Sequence, residues 1–148
     1  MTWLLAFLHH LAAFTLVGAL AAELALTQDG IAPKRAQAIL LADLVYGISA
    51  GSLLIIGLLR VIYFEKGASY YFHSVPFLAK ASLFLMVGLL SPTIEFLSWR
   101  TSLKQGQTPT VTDRKLHAIR LIVRWELTSV VLILLCAALM AKGVGYFE

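Results

Sequence analysis

Cysteine is almost missing from this 148-residue chain, since Cys136 stands alone. No internal disulfide can form, and no thiolate set is present to hold zinc. Paired histidines at i, i+4, glycine-rich phosphate loops and nucleophile elbows are also absent. Met86, Met140 and Cys136 fall in separate apolar stretches, which argues against a clustered copper site. Charge is scarce as well: 14% of residues are Asp, Glu, Lys or Arg against 59% hydrophobic, with a mean hydropathy of +0.84. A soluble fold needs far more polar surface than that. No Ser/Pro/Gly tract is long enough to separate two cores, so the chain reads as one domain over residues 1–148. No basic stripe interleaved with aromatics argues for nucleic acid.

What is present is apolar sequence in four runs, at about Trp3–Leu26, Ala42–Tyr63, Pro76–Trp99 and Ala118–Ala141. A helix needs roughly 20 mostly apolar residues to cross a bilayer. The fold class expected is therefore all-α, an integral membrane four-helix bundle with antiparallel up-down topology. The first run lacks the basic leader of a signal peptide and exceeds the roughly 7 to 15 apolar residues such signals use, so it reads as a retained span. Asp29-Gly30 and Pro33 mark a turn, after which a short amphipathic helix leads into the second span. Pro92, after Ser91, removes a backbone donor and predicts a kink in the third. Gly47, Ser49, Ala50 and Gly51 form a small-residue stripe suited to close helix contact, including a homodimer through Gly47 and Gly51.

Basic residues orient the spans. One side carries Arg60, Lys66 and Lys142, and the other carries Lys34, Arg35, Arg100, Lys104, Arg114, Lys115 and Arg120. The larger set marks the cytoplasm, which predicts a bacterial inner membrane protein with both termini on the periplasmic side. The net charge of +4 then serves anchoring to anionic lipid. Tyr70, Tyr71, Phe72, Trp3, Tyr63 and Tyr146 read as the outer aromatic belt, with Trp99 and Trp125 toward the inner one.

Ionisable residues inside the spans are the candidates for function. Counting about 1.5 Å per residue, His10 lies roughly 10 Å deep and Lys80 about 6 Å, in one outer layer with Arg60. Glu23, Asp43, Glu95, Arg120, Arg124 and Glu126 make an inner layer. In the outer layer, a neutral imidazole with two cations nearby matches a haem b site, the cations facing porphyrin carboxylates. Snorkelling of Arg60 and Lys80 to the headgroups is the structural alternative. Adjacent helical residues point about 100° apart, so His9 and His10 cannot share a role. His9 shares a face with Ala13, Leu16, Leu20 and Glu23, and His10 with Phe14, Val17 and Ala21. Periodicity alone does not choose between them. In the inner layer, Arg120 and Arg124 are expected to pair with Asp43, Glu95 or Glu126, while Glu126, deep in its helix, is either a structural partner or an acid/base group for proton handling. His73 and His117 read as interfacial.

The segments AFLHHLAAFTLVGALAAE, DLVYGISAGSLLIIGL, PFLAKASLFLMVGLL and IRLIVRWELTSVVLILLCAALMAKG carry a resemblance. Together they resemble HemJ-type protoporphyrinogen oxidases, with Lys80 at that family's intramembrane lysine and Glu126 at its last-span acid. The paired histidines and Glu23 are closer to an uncharacterised bacterial domain-of-unknown-function family of four-span proteins, in a wider group that includes CopD-like membrane proteins. The HemJ resemblance implies haem b, oxidation of protoporphyrinogen, His10 as the metal ligand, and Lys80 as a partner of substrate or propionate. Leu78, Asp43 and Thr128 stand where the HemJ pattern has other residues. Two readings follow: a membrane redox protein acting on porphyrin or passing electrons, with quinone a possible partner, in which His9 or His10, Arg60 and Lys80 bind cofactor and Lys80 and Glu126 serve catalysis; or a non-catalytic assembly partner or small permease, including CopD-like metal handling.

Overall fold

The structure is a computed structural model, and it describes residues 2–28, 31–64, 75–107 and 109–142. The Asp29–Gly30 turn, Lys66, Tyr70–Phe72, His73 and Tyr146 lie outside the described residues. Within them the protein is all-helical and no strand occurs. Five α-helices follow in order: α1 (Thr2–Leu26), α2 (Pro33–Leu59), α3 (Val75–Leu90), α4 (Thr93–Lys104) and α5 (Asp113–Ala141). A π-helical turn, Arg60–Phe64, continues α2.

Local chemistry sets these bounds. Ala32 is extended and Pro33 opens α2, where its fixed φ suits a first helical turn and its missing N–H costs nothing. The amphipathic lead-in expected before the second span is continuous with it, so α2 starts well before the apolar window at Ala42. The third apolar run is divided into two helices at Ser91-Pro92. Pro92 has no N–H to return to the Gly88 carbonyl, and its ring disfavours helical geometry at Ser91. A second helix then starts from the Pro92 carbonyl, which accepts from Glu95 N–H at 2.9 Å and Phe96 N–H at 3.1 Å. At the far end of α4, Gly106 takes φ +71°, and Gln107 N–H closes on the Ser102 carbonyl at 3.0 Å. That left-handed position is one only glycine adopts without cost.

Three helices, α1, α2 and α5, are long and apolar enough to cross a membrane. α3 alone is not: its 16 residues reach about 24 Å, short of a hydrocarbon core of roughly 30 Å. α1 packs along α2 and also against α5; α3 packs along α5, and α4 against α2. The core is a set of stripes at helical spacing: Leu16, Ala19 and Leu20 of α1, Ala36, Ile39 and Tyr46 of α2, Phe96 and Trp99 of α4, and Ile119 and Val123 of α5. Phe96 and Trp99 meet at 5.0 Å between ring centres. Opposite faces are apolar and uncovered, with Phe14, Ile48, Leu89 and Val131 all exposed, the pattern of helices solvated by lipid.

Candidate functional site

The stripes that build the core do not stay apolar. On α1 the sequence Leu16, Leu20, Glu23, Thr27 runs down one face, and on α5 Leu116, Ile119, Val123, Glu126, Ser129 does the same. Steps of three and four keep side chains on one side of a helix, so both carboxyls are carried into the centre by the apolar residues around them. Glu23 is 1% exposed and Glu126 2%. One oxygen of Glu23 and both oxygens of Glu126 are buried with no hydrogen-bond partner among the described residues. Asp43 and Glu126 lie within electrostatic reach of Glu23, and the buried Tyr46 lies within reach of all three acids. The Tyr46 and Ser91 hydroxyls face Glu126.

Hydroxyls complete the wall. Thr93 Oγ1 donates to Asp43 Oδ1 at 2.8 Å, and Ser91 Oγ lies 3.0 Å from Thr93 Oγ1. The break in the third apolar run makes this contact. In an unbroken helix residues two apart point about 200° from each other, so two such hydroxyls would not meet. Ser49 and Ser129 are buried on neighbouring turns.

Neither Arg120 nor Arg124 pairs with Asp43, Glu95 or Glu126 among the described residues, which corrects the pairing expected from sequence. Arg120 sends Nε to the Thr27 carbonyl at 2.6 Å and Nη2 to the Gln28 carbonyl at 2.8 Å. The carbonyls that follow the last turn of α1 have no helical donors, and the planar fork of a guanidinium fits two of them at once. Lys115 pairs with Glu95 at 3.1 Å, at the exposed side of α4. Arg124 is exposed. Glu23 and Glu126 are thus left with no ion pair among the described residues. Among those residues no three His, Cys, Asp or Glu gather closely enough to hold a metal ion.

In the outer layer the two histidines separate. His10 is exposed, and its Nδ1 lies 2.6 Å from the Ala6 carbonyl of its own helix. His9 is half-buried on the face that carries Leu16, Leu20 and Glu23, its Cε1 3.9 Å from where a β-carbon on Gly57 would stand. Arg60, in the π turn, and Lys80, on α3, are both half-buried. Leu78 is exposed. Gly47 and Gly51 face open space.

Tyr46, Ser91 and Thr93 are site residues that the sequence reading did not single out. Tyr46 had a signal: it lies one turn beyond Asp43 on the stripe of Ile39 and Ala42. Ser91 and Thr93 carried only the proline between them, read as a kink rather than as a device that turns two hydroxyls together. No curated protein and no solved structure matches the chain. A family model described as "Predicted membrane protein (DUF2214)" matches residues 1–145, so the chain belongs to the DUF2214 family of membrane proteins.

Proposed function

We propose that this protein is a small proton-handling permease of the bacterial inner membrane, in which Glu23 and Glu126 take up and release protons inside the bilayer. The observation that carries the reading is the burial of Glu126 with neither oxygen hydrogen-bonded among the described residues, while Arg120 and Lys115 are committed elsewhere and Arg124 is exposed. An unpaired carboxylate at that depth costs several kcal/mol, and a proton is the smallest counter-charge that offsets it. Ionisable groups persist inside membrane spans where ions or protons pass. In this reading α3 and α4 together make the third crossing of an antiparallel four-helix bundle, the basic connections face the cytoplasm and both termini the periplasm. Broken helices of this kind line the midplane sites of transporters. Reconstituted into liposomes holding a pH-sensitive dye, the wild type collapses an imposed pH gradient, and Glu126→Gln and Glu23→Gln do not. Equal rates for wild type and Glu126→Gln would sink the proposal.

The half-buried seat of His9 over Gly57, with Arg60 and Lys80 also half-buried, favours a second reading. It is a haem b redox protein acting on porphyrin or quinone, akin to HemJ-type oxidases, with Lys80 and Glu126 serving catalysis. Of the two candidate ligands, the orientation of the rings supports His9 over His10, and Arg60 and Lys80 are the residues to meet propionates. Its test is an absorption spectrum of the purified protein, oxidised and dithionite-reduced. A Soret band lost in His9→Ala supports the reading, and colourless protein expressed with haem supplied counts against it. For a homodimer, the uncovered Gly47 and Gly51 on α2 are the close-contact positions.

A further inference from the structure

We infer that Ser91 and Thr93 form a proton wire between the buried Glu126 carboxyl and the half-buried Asp43, an inference that rests on the reading of Glu126 as a proton carrier. A hydroxyl has one proton to give. Thr93 gives its own to Asp43 Oδ1, at 2.8 Å. In the 3.0 Å contact between the two hydroxyls Ser91 must therefore be the donor. Ser91 keeps its lone pairs for an incoming proton, and the carboxyl that its hydroxyl faces is Glu126. The two hydroxyl donors consequently point the same way, from Ser91 through Thr93 to Asp43.

The transfer balances with no other reactant. The O–H bond of a protonated Glu126 breaks as a new one forms on Ser91 Oγ, the Ser91 proton passes to Thr93 Oγ1, and the Thr93 proton passes to the Asp43 carboxylate. One proton leaves Glu126, one arrives at Asp43, and both hydroxyls end as they began except for a rotation that resets them. The open joint lies between Glu126 and Ser91, where no hydrogen bond is closed. Rotation of the Glu126 carboxyl, or a shift of the Ser91-Pro92 break, makes or parts the connection. The titratable and charged groups around the wire are Glu23 from α1, Asp43 and Tyr46 from α2, and Glu126 from α5. Lys115 is held by Glu95, and Arg120 by the end of α1.

The dye-loaded liposomes that compare wild type with Glu126→Gln also test the wire. Thr93→Val, close in shape but without the hydroxyl, slows gradient collapse by about 100-fold, a typical loss on removing a proton-transfer group. Ser91→Ala does the same from the other end, and Thr93→Ser recovers most of what Thr93→Val loses. Circular dichroism of each variant shows the wild-type helix content. Should Thr93→Val and Ser91→Ala match the wild-type rate while Glu126→Gln stays silent, the wire is overturned and the proton-carrier reading stands. A wild type no faster than Glu126→Gln removes both.

Discussion

Glu126 occupies a position that an apolar residue of the same volume would fill at lower cost. With no hydrogen-bond partner for either oxygen among the described residues, it contributes desolvation and little else to the fold. Glu126→Leu is therefore expected to unfold in detergent at the wild-type temperature or above it while abolishing proton movement, the trade between stability and activity seen at functional positions. A clearly lower unfolding temperature would mean that the carboxyl supports the fold through contacts missing from this account. Arg120 is its opposite, a charged residue with a structural task. Losing two charge-assisted bonds to the end of α1, Arg120→Ala should be less stable by about 2 kcal/mol in denaturant titration. Lys in its place should recover only part, because an ammonium lacks the fork. Both residues were visible in the sequence as intramembrane charges, yet their partners were not. Which carbonyl or carboxyl a guanidinium reaches depends on how α1 and α5 end beside each other, and hydropathy does not carry that information.

At the level of elements, the third apolar run shows where the chain departs from a plain span. Its apolar length reads as one helix, and Ser91-Pro92 reads as a kink; the outcome is two helices whose junction faces Asp43 and Glu126. Pro92→Ala returns the donor that Gly88 lacks and removes the ring clash. It is expected to raise helix content by circular dichroism and to part Ser91 from Thr93, slowing gradient collapse as much as Thr93→Val. Unchanged transport with increased helicity would detach the break from function. Gly106→Ala meets a different constraint, a left-handed backbone at the end of α4, and should cost about 1 kcal/mol without altering transport. Most of the α1 stripe was legible, since spacing alone groups His9, Leu16, Leu20 and Glu23. Which of the two histidines turned inward depended on packing against α2 at Gly57.

Across the whole molecule, polar groups concentrate where α1, α2, α5 and the α3–α4 junction come together, while the outward faces are apolar. Membrane residence followed from composition because 59% hydrophobic residues leave no other way to cover the surface. The buried polar cluster was less legible, because the residues that stand out among the charges are Lys80, Arg60 and His10, whereas the groups that converge include hydroxyls that hydropathy ignores. Orientation has a direct check: in a Cys136→Ser background, Lys104→Cys should react with a membrane-impermeant maleimide only from the cytoplasmic side. Labelling from the periplasm would invert the arrangement proposed here.

If Glu126 gains and loses a proton within the bilayer, infrared difference spectroscopy across a pH jump reads that event at the carboxyl itself. A protonated-carboxyl C=O band is expected in the wild type, lost in Glu126→Gln and shifted in Glu23→Gln. A difference spectrum in which that band is absent, or persists unchanged in both variants, would contradict that role for Glu126.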